Sequence, residues 1–259
     1  TEVLLRLYQE YGPDCVKLLR GMFAFAVHDR RRNIVFMARD RIGKKPLKYF
    51  HVGHTVAFAS EIKALRMHPQ CPRDIDWESL HHYLTLMYVP SPETGFTGVK
   101  KLPAGHSMTI DLRTGTEEIV KYWTLDFTTD TKTSLADWKQ NIRETFEESV
   151  RLRMVADVPV GIFLSGGYDS STVAALLQKQ SGRPLKTFTI GVPDLGLNEA
   201  PQAEAIARHL NTDHLTAYCT EAEALNLIRQ LPYYYDEPFG DSSALPTMLV
   251  SRMARQQVT

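Results

Sequence analysis

Seven consecutive residues, Ser165-Gly166-Gly167-Tyr168-Asp169-Ser170-Ser171, bring three hydroxyls, two glycines and a carboxylate into one short stretch. The apolar run before them, residues 160–164, reads as a buried strand, and Val173, Leu176 and Leu177 after them recur at helical spacing. Two glycines cannot prolong the strand, so the sequence predicts strand, tight turn, helix. That order aims free backbone N–H groups and the positive end of a helix dipole at one spot, which suits an anion. Glycine lets the main chain approach a phosphate with no Cβ between them, and Ser165, Ser170 and Ser171 add hydroxyl donors. Asp169 would repel a bare phosphate; it either caps the helix or meets phosphate through Mg²⁺. A capped strand–helix turn is ordinary in α/β proteins, and Gly-Gly alone says no more than that. The whole string S-G-G-x-D-S-S is what points to phosphate, although no Lys follows the glycines and the pattern is not G-x-G-x-x-G.

That string resembles the PP-loop of the N-type ATP pyrophosphatases, which adenylate a carboxyl or carbonyl group and release pyrophosphate. The resemblance implies ATP and Mg²⁺, with Ser165, Gly166, Gly167, Ser170 and Ser171 binding phosphate and Asp169 holding the metal.

The elements that must position this turn follow from patterning. Strands expected at residues 185–191 and 214–218 alternate with helices at 199–210 and 221–231, which means a parallel sheet covered on both faces. Ligands of such sheets sit at the carboxyl ends of the strands, so residues 165–171 and Ile190 share one rim. Leu164 and Ile190 either flank an adenine there, by apolar contact or backbone hydrogen bonds, or are simply core. Ser134 and Asp137 form a capping pattern for a long helix with Leu135, Trp138, Ile142, Phe146 and Val150 on one face, read as core. An aromatic and acidic loop follows the sheet pattern, and within it Asp236, Glu237 and Asp241 are expected near an amino-acid substrate or its Mg²⁺, with Asp241 or Ser242 capping the next helix.

The first half is patterned differently. Helical segments at 2–11 and 15–19 precede two hairpins, residues 22–38 and 47–59. Between them, residues 39–45 hold Arg39, Asp40, Arg41, Lys44 and Lys45, expected in a structural ion-pair network. Arg30, Arg31 and Arg32 sit at a hairpin tip, where solvated charge is usual. Asp76 is placed to cap a helix over 77–87, and the adjacent His81 and His82 point apart on it, which argues against chelation by the pair. The polar stretch 127–133 is the best linker.

Here the strings R-G-M-F-A-F-A (20–26), A-R-D-R-I-G-K-K-P-L (38–47), F-A-S-E-I-K-A-L (58–65) and K-L-P-A-G-H (101–106) resemble class II glutamine amidotransferases. More narrowly, they are similar to the glutaminase domain of the glutamine-hydrolysing asparagine synthetase family. Residues 236–243, D-E-P-F-G-D-S-S, are similar to the same family. That family's N-terminal cysteine nucleophile and Asn-Gly-Glu segment have no counterpart here, and Cys15 and Cys71 do not replace them. Tyr168 stands where the family usually has Leu.

The resemblance implies an α/β protein with a partial Ntn-hydrolase-type α+β glutaminase domain over 1–127. A parallel-sheet PP-loop domain, adenine nucleotide alpha hydrolase-like, follows over 128–259. It also implies an ATP-dependent amide-forming ligase, in which ammonia from glutamine attacks an aspartyl-adenylate to give asparagine, AMP and pyrophosphate. The alternatives are a relative with another acceptor, such as a β-lactam-forming synthetase, or an inactive ATP-binding piece.

Composition agrees with a globular protein: 259 residues, 43% hydrophobic, with 30 basic residues against 30 acidic, which gives no bulk affinity for nucleic acid. Three cysteines without metal spacing suit a reducing, cytoplasmic setting, and no apolar run is of membrane-spanning length. A homodimer is one option for the assembly. The chain begins without Met inside a helical pattern and stops at Thr259 in an apolar stretch, so both ends read as cuts.

Overall fold

The structure, a computed structural model, describes residues 1–193 and 198–258. The chain forms two compact units, Thr1–Thr128 with Pro232–Gly240, and Thr129–Leu231 with Asp241–Thr259. The division near residue 128 falls in the polar linker. The return of Pro232–Gly240 to the first unit differs from the continuous second domain that local patterning suggests.

The first unit opens with α1 (Glu2–Tyr11) and α2 (Cys15–Leu18), separated at Gly12 and Pro13. Strands β1 (Ala24–Asp29) and β2 (Ile34–Arg39) form a hairpin, and β3 (Lys48–Val52) and β4 (Thr55–Ala59) form a second one. Two helices, α3 (Ile62–Leu65) and α4 (Trp77–Leu86), lead to β5 (Val99–Lys101), β6 (His106–Asp111) and β7 (Glu117–Lys121). The strands make two antiparallel sheets, ordered β1-β2-β6-β7 and β4-β3-β5. Alternation along β2 sends Phe36 and Ala38 into a cluster with Tyr8 and Val16, and Met37 into another with Leu47, Leu102 and Met108. The first sheet is therefore buried on both faces at its centre. Asp76 caps α4 by accepting from Ser79 N–H at 2.9 Å.

The second unit begins with α5 (Leu135–Arg153), whose cap Ser134 accepts from Asp137 N–H at 3.1 Å. Then come β8 (Gly161–Phe163), α6 (Tyr168–Gln180), β9 (Lys186–Gly191), α7 (Ala200–Leu210) and β10 (Asp213–Tyr218). Helix α8 (Glu221–Ile228) and α10 (Ala244–Arg255) complete this unit, and the short α9 (Leu231–Tyr234) begins the segment that belongs to the first. The three strands are parallel in the order β10-β9-β8, with Phe163 opposite Phe188 and Phe188 opposite Leu215. Central β9 buries Thr187, Phe188 and Thr189. Phe188 packs on Val250 and Ala254 of α10, while Leu164 packs with Ala174 of α6 and Ala203 and Ala207 of α7. Helices thus cover the sheet on both sides, as parallel strands require.

Helix α5 departs from the expected core face. Phe146 and Val150 pack with Leu177 and Leu185, but Leu135 and Ile142 are 71% and 62% exposed. Periodicity identifies the apolar side of a helix and not what meets it.

Candidate functional site

The Gly166-Gly167 turn sits at the carboxyl end of β8. Leu164 extends the ladder past the strand, donating its N–H to Phe188 O at 2.9 Å, while its carbonyl accepts from the Thr189 hydroxyl. Gly166 has φ 81°, a left-handed conformation that favours glycine. A Cβ there would lie 3.0 Å from Gln202 Cβ and 3.2 Å from the Ala203 backbone N, so glycine also permits the turn to nest against the start of α7. At Gly167 a Cβ would meet only Ser165 Oγ, at 3.4 Å, so the outer side of this residue is open for a ligand to approach.

Gly167 is the N-cap of α6 and supplies no side-chain acceptor, which leaves the amides of Tyr168, Asp169 and Ser170 without intrahelical partners. The serines organise the turn: Ser165 N–H donates to Ser170 Oγ at 3.1 Å, and the Ser165 and Ser170 hydroxyls are 3.0 Å apart. Ser171 donates its hydroxyl back to Gly167 O at 2.6 Å. Free amides, two linked hydroxyls and a glycine wall suit a phosphate oxygen.

Asp169 is exposed on the first turn of α6 and does not cap it, since no side-chain cap bond forms there. Among the described residues no group of three or more His, Cys, Asp or Glu side chains is arranged to hold a metal ion. A lone carboxylate suits Mg²⁺, which takes one or two carboxylates and fills its other positions with phosphate oxygens and water. Leu164 is 1% exposed and its side chain packs in the core, at the point where the chain leaves the sheet for the turn. Ile190 is partly exposed, packed beside Phe188 and α10, and lies level with the turn because Phe163 faces Phe188 two positions earlier.

The acidic residues further along the chain have partners within the fold. The Asp236 carboxylate, 5% exposed, accepts from Lys48 Nζ at 2.6 Å and from Ile62 N–H at 2.6 Å. Burial alone would raise its pKa, but the Lys48 and Ile62 hydrogen bonds outweigh burial and hold it below the usual carboxylate value. Glu237 pairs with Lys101 Nζ at 3.0 Å and accepts from Gly95 N–H at 3.0 Å. Burial pulls the Lys101 ammonium down, with Glu237 opposing. Asp241 is exposed and accepts from Ser243 N–H at 2.8 Å, but α10 has Ser243 at its N-cap position and no side-chain capping bond, so neither Asp241 nor Ser242 caps it as the sequence predicts; the carboxylate closes a local turn one step earlier. Lys48 and Lys101 are the residues that sequence reasoning passed over; Lys48 opens the largely apolar β3, which was an available signal, whereas Lys101 ends the short Val99-Lys100-Lys101 strand, which gives none.

The charged loop at residues 39–45 is held by main-chain bonds rather than the expected ion pairs. Arg39 donates to the carbonyls of Gly43, Lys45 and Leu102, each at 2.8 Å. Asp40 accepts from the amides of Phe23, Lys44 and Lys45. Cys15, Cys71 and Cys219 are all buried, and burial pushes each thiol up. That is the wrong direction for a nucleophile.

Comparison with known proteins finds a different family match in each half of the chain. Residues 1–123 match the Glutamine amidotransferase domain family, and residues 141–259 match the Asparagine synthase family. A Methanocaldococcus jannaschii protein, provisionally named asparagine synthetase [glutamine-hydrolyzing] 2, is 37% identical over 265 residues, which cover 100% of this chain and 50% of the relative. Asparagine synthetase [glutamine-hydrolyzing] 1 of Bacillus subtilis is 34% identical across 100% of this chain and 40% of its own length. Asparagine synthetase B of Escherichia coli is 32% identical across 91% and 39%. The chain thus spans half or less of the length of these curated relatives. Among solved structures, the Bacillus subtilis glutamine phosphoribosylpyrophosphate amidotransferase superposes with a TM-score of 0.34 and 10% identity over 93% of this chain and 68% of that one, too low to bear on fold or ligand. With an amidotransferase domain and an asparagine synthase domain matched in order along one sequence, the chain belongs to the asparagine synthase family.

Proposed function

We propose that this chain is the part of a glutamine-hydrolysing asparagine synthetase that carries the phosphate turn of the synthetase centre. The observation that supports this reading is the Gly166-Gly167 turn, with its uncapped helix α6, at the carboxyl end of a parallel sheet. ATP with Mg²⁺, bound there, supplies the electrophilic phosphorus that activates the aspartate side-chain carboxylate, and the leaving pyrophosphate. The residues of this chain bind and orient. The amides of Tyr168, Asp169 and Ser170 face the charge that grows on the leaving group, which is where preorganised donors lower a barrier. Ser165 and Ser170 keep the turn closed, Asp169 would hold Mg²⁺, and Ile190 would border the nucleotide. Asp241 stays the candidate for the amino-acid side.

The same reading makes aspartate and glutamine, or ammonia, the small-molecule substrates. It places the protein in the cytoplasm, which three free thiols suit. No helix among the described residues is long and apolar enough to cross a membrane. With every cysteine buried, no residue of this chain is assigned the glutamine-hydrolysing nucleophile. The test is pyrophosphate release by the full-length protein with ATP, Mg²⁺ and ammonium, comparing aspartate with other carboxylates. Release that depends on aspartate supports the reading, whereas release with another carboxylate alone shifts the acceptor. An absence of release leaves at most nucleotide binding.

A further inference from the structure

We infer that Asp236 and Glu237 are positioning residues: they clasp the segment Pro232–Gly240, which leads the chain into Asp241-Ser242-Ser243, onto the first unit. The inference rests on the synthetase reading for its kinetic consequence, but not for its structural one.

The chain runs through the second unit to Leu231, belongs to the first unit over Pro232–Gly240, and resumes in the second at Asp241. A nine-residue excursion of this kind stays in place only if it is fastened, and it is fastened along its length. At its start, Lys63 Nζ donates to Tyr233 O and lies 5.4 Å from the centre of the Tyr233 ring. At its end, Gly240 N–H donates to Met87 O at 2.8 Å. Between them, Glu237 takes Lys101 and the Gly95 amide, while Asp236 takes Lys48, the amides of Ile62 and Lys63, and the Lys63 ammonium at 3.8 Å.

The Asp236 contact does a second task. Helix α3 has Glu61 at its N-cap position, and Glu61 makes no capping bond. Asp236 caps α3 instead, from 174 positions further along the chain. An ammonium group of a substrate would have to displace Lys48 and the amides of Ile62 and Lys63 from a carboxylate that is 5% exposed. Removing one partner from such a buried pair leaves an uncompensated charge, so the segment depends on both carboxylates and on their lysines.

The experiment uses the full-length protein with Asp236→Asn, Glu237→Gln, Lys48→Met and Lys48→Arg. Amide hydrogen exchange over residues 232–243 is read beside aspartate-dependent pyrophosphate release and glutamine hydrolysis. The expected result is faster exchange across 232–243 in Asp236→Asn and Lys48→Met, with Lys48→Arg close to the parent. In both of the first two variants kcat for pyrophosphate release falls by about tenfold at an aspartate KM within about twofold of the parent, while glutamine hydrolysis persists. Agreement between a lysine variant and a carboxylate variant is what a substrate contact would not give. An aspartate KM raised about tenfold in Asp236→Asn but not in Lys48→Met assigns Asp236 to the substrate and overturns the clasp. Unchanged exchange in both overturns it as well. If the parent releases no pyrophosphate with aspartate, the proposed function falls, and exchange still decides the clasp. Should Asp236→Asn fail to fold, Glu237→Gln carries the same readouts at a less buried pair.

Discussion

Lys48 Nζ and the Asp236 carboxylate are 188 positions apart in sequence and 2.6 Å apart in the fold. Both side chains are largely hidden, so the pair is a desolvated one and not a surface ornament. Lys48→Met should therefore destabilise the first unit by about 3 kcal/mol, because it strands a buried charge. Adding Asp236→Leu to that variant should recover most of the loss. Urea denaturation of the single and double variants measures both. A cost under about 1 kcal/mol for Lys48→Met would mean that the pair is effectively solvated.

The same carboxylate gives a pH dependence with a definite sign. Its folded pKa lies below the ordinary value of 3.8, because the Lys48 and Ile62 bonds outweigh burial. Stability from a depressed carboxylate is fully present above the unfolded pKa and is lost as pH falls through the folded one. Thermal unfolding of the first unit should thus steepen its decline below about pH 4. In Asp236→Asn that acid limb should shrink. A limb of the same size in the variant would assign the loss to other carboxylates, Asp40 first among them, since its amide bonds hold it low against burial.

Neighbouring glycines should behave differently. Gly166→Ala forces φ 81° on an L-residue and puts a Cβ 3.2 Å from Ala203 N, so it should lower both stability, by about 1–3 kcal/mol, and nucleotide affinity. Gly167→Ala has ordinary backbone angles and meets only Ser165 Oγ, so it should leave stability near the parent and weaken nucleotide binding by placing a methyl where phosphate approaches. Melting curves with nucleotide titrations check the pair. Equal melting losses in both would show that the turn is not shaped as described.

Asp169 separates metal from charge. With Mg²⁺ present, Asp169→Asn should weaken ATP binding by about tenfold, because the carboxylate no longer helps to hold the ion. With Mg²⁺ chelated, the same variant should bind ATP as well as the parent or better, since a repulsive charge beside phosphate is gone. Calorimetric titration under the two conditions tests the sign of the difference. Weakening under both would place Asp169 in the fold rather than at the metal.

What the sequence disclosed was local in origin. Ser134 and Asp76 cap the helices that begin beside them, and the strand–turn–helix at residues 160–177 is written in consecutive residues, because caps and turns are settled by near neighbours. The lysines that take up Asp236 and Glu237 lie in strands more than a hundred positions away, and no local pattern announces such a partner. The D-E-P-F string therefore reads as a substrate loop, by its acidic residues and by resemblance, with no sign of the lysines it meets. The exposed Leu135 and Ile142 of α5 make the same point for apolar residues, whose spacing reveals a face without its neighbour. Thr189 is a third case: nothing in the local pattern singles out this mid-strand hydroxyl, and it binds the carbonyl of Leu164 at the entrance to the turn.

The account turns on where triphosphate sits, and backbone amide protection reads that directly. Hydrogen exchange of the full-length protein with and without ATP and Mg²⁺ should show new protection concentrated at the amides of residues 166–170, with residues 39–45 of the first unit unchanged. Protection that appears elsewhere while those amides exchange as before would contradict the assignment of the turn, and with it the synthetase reading.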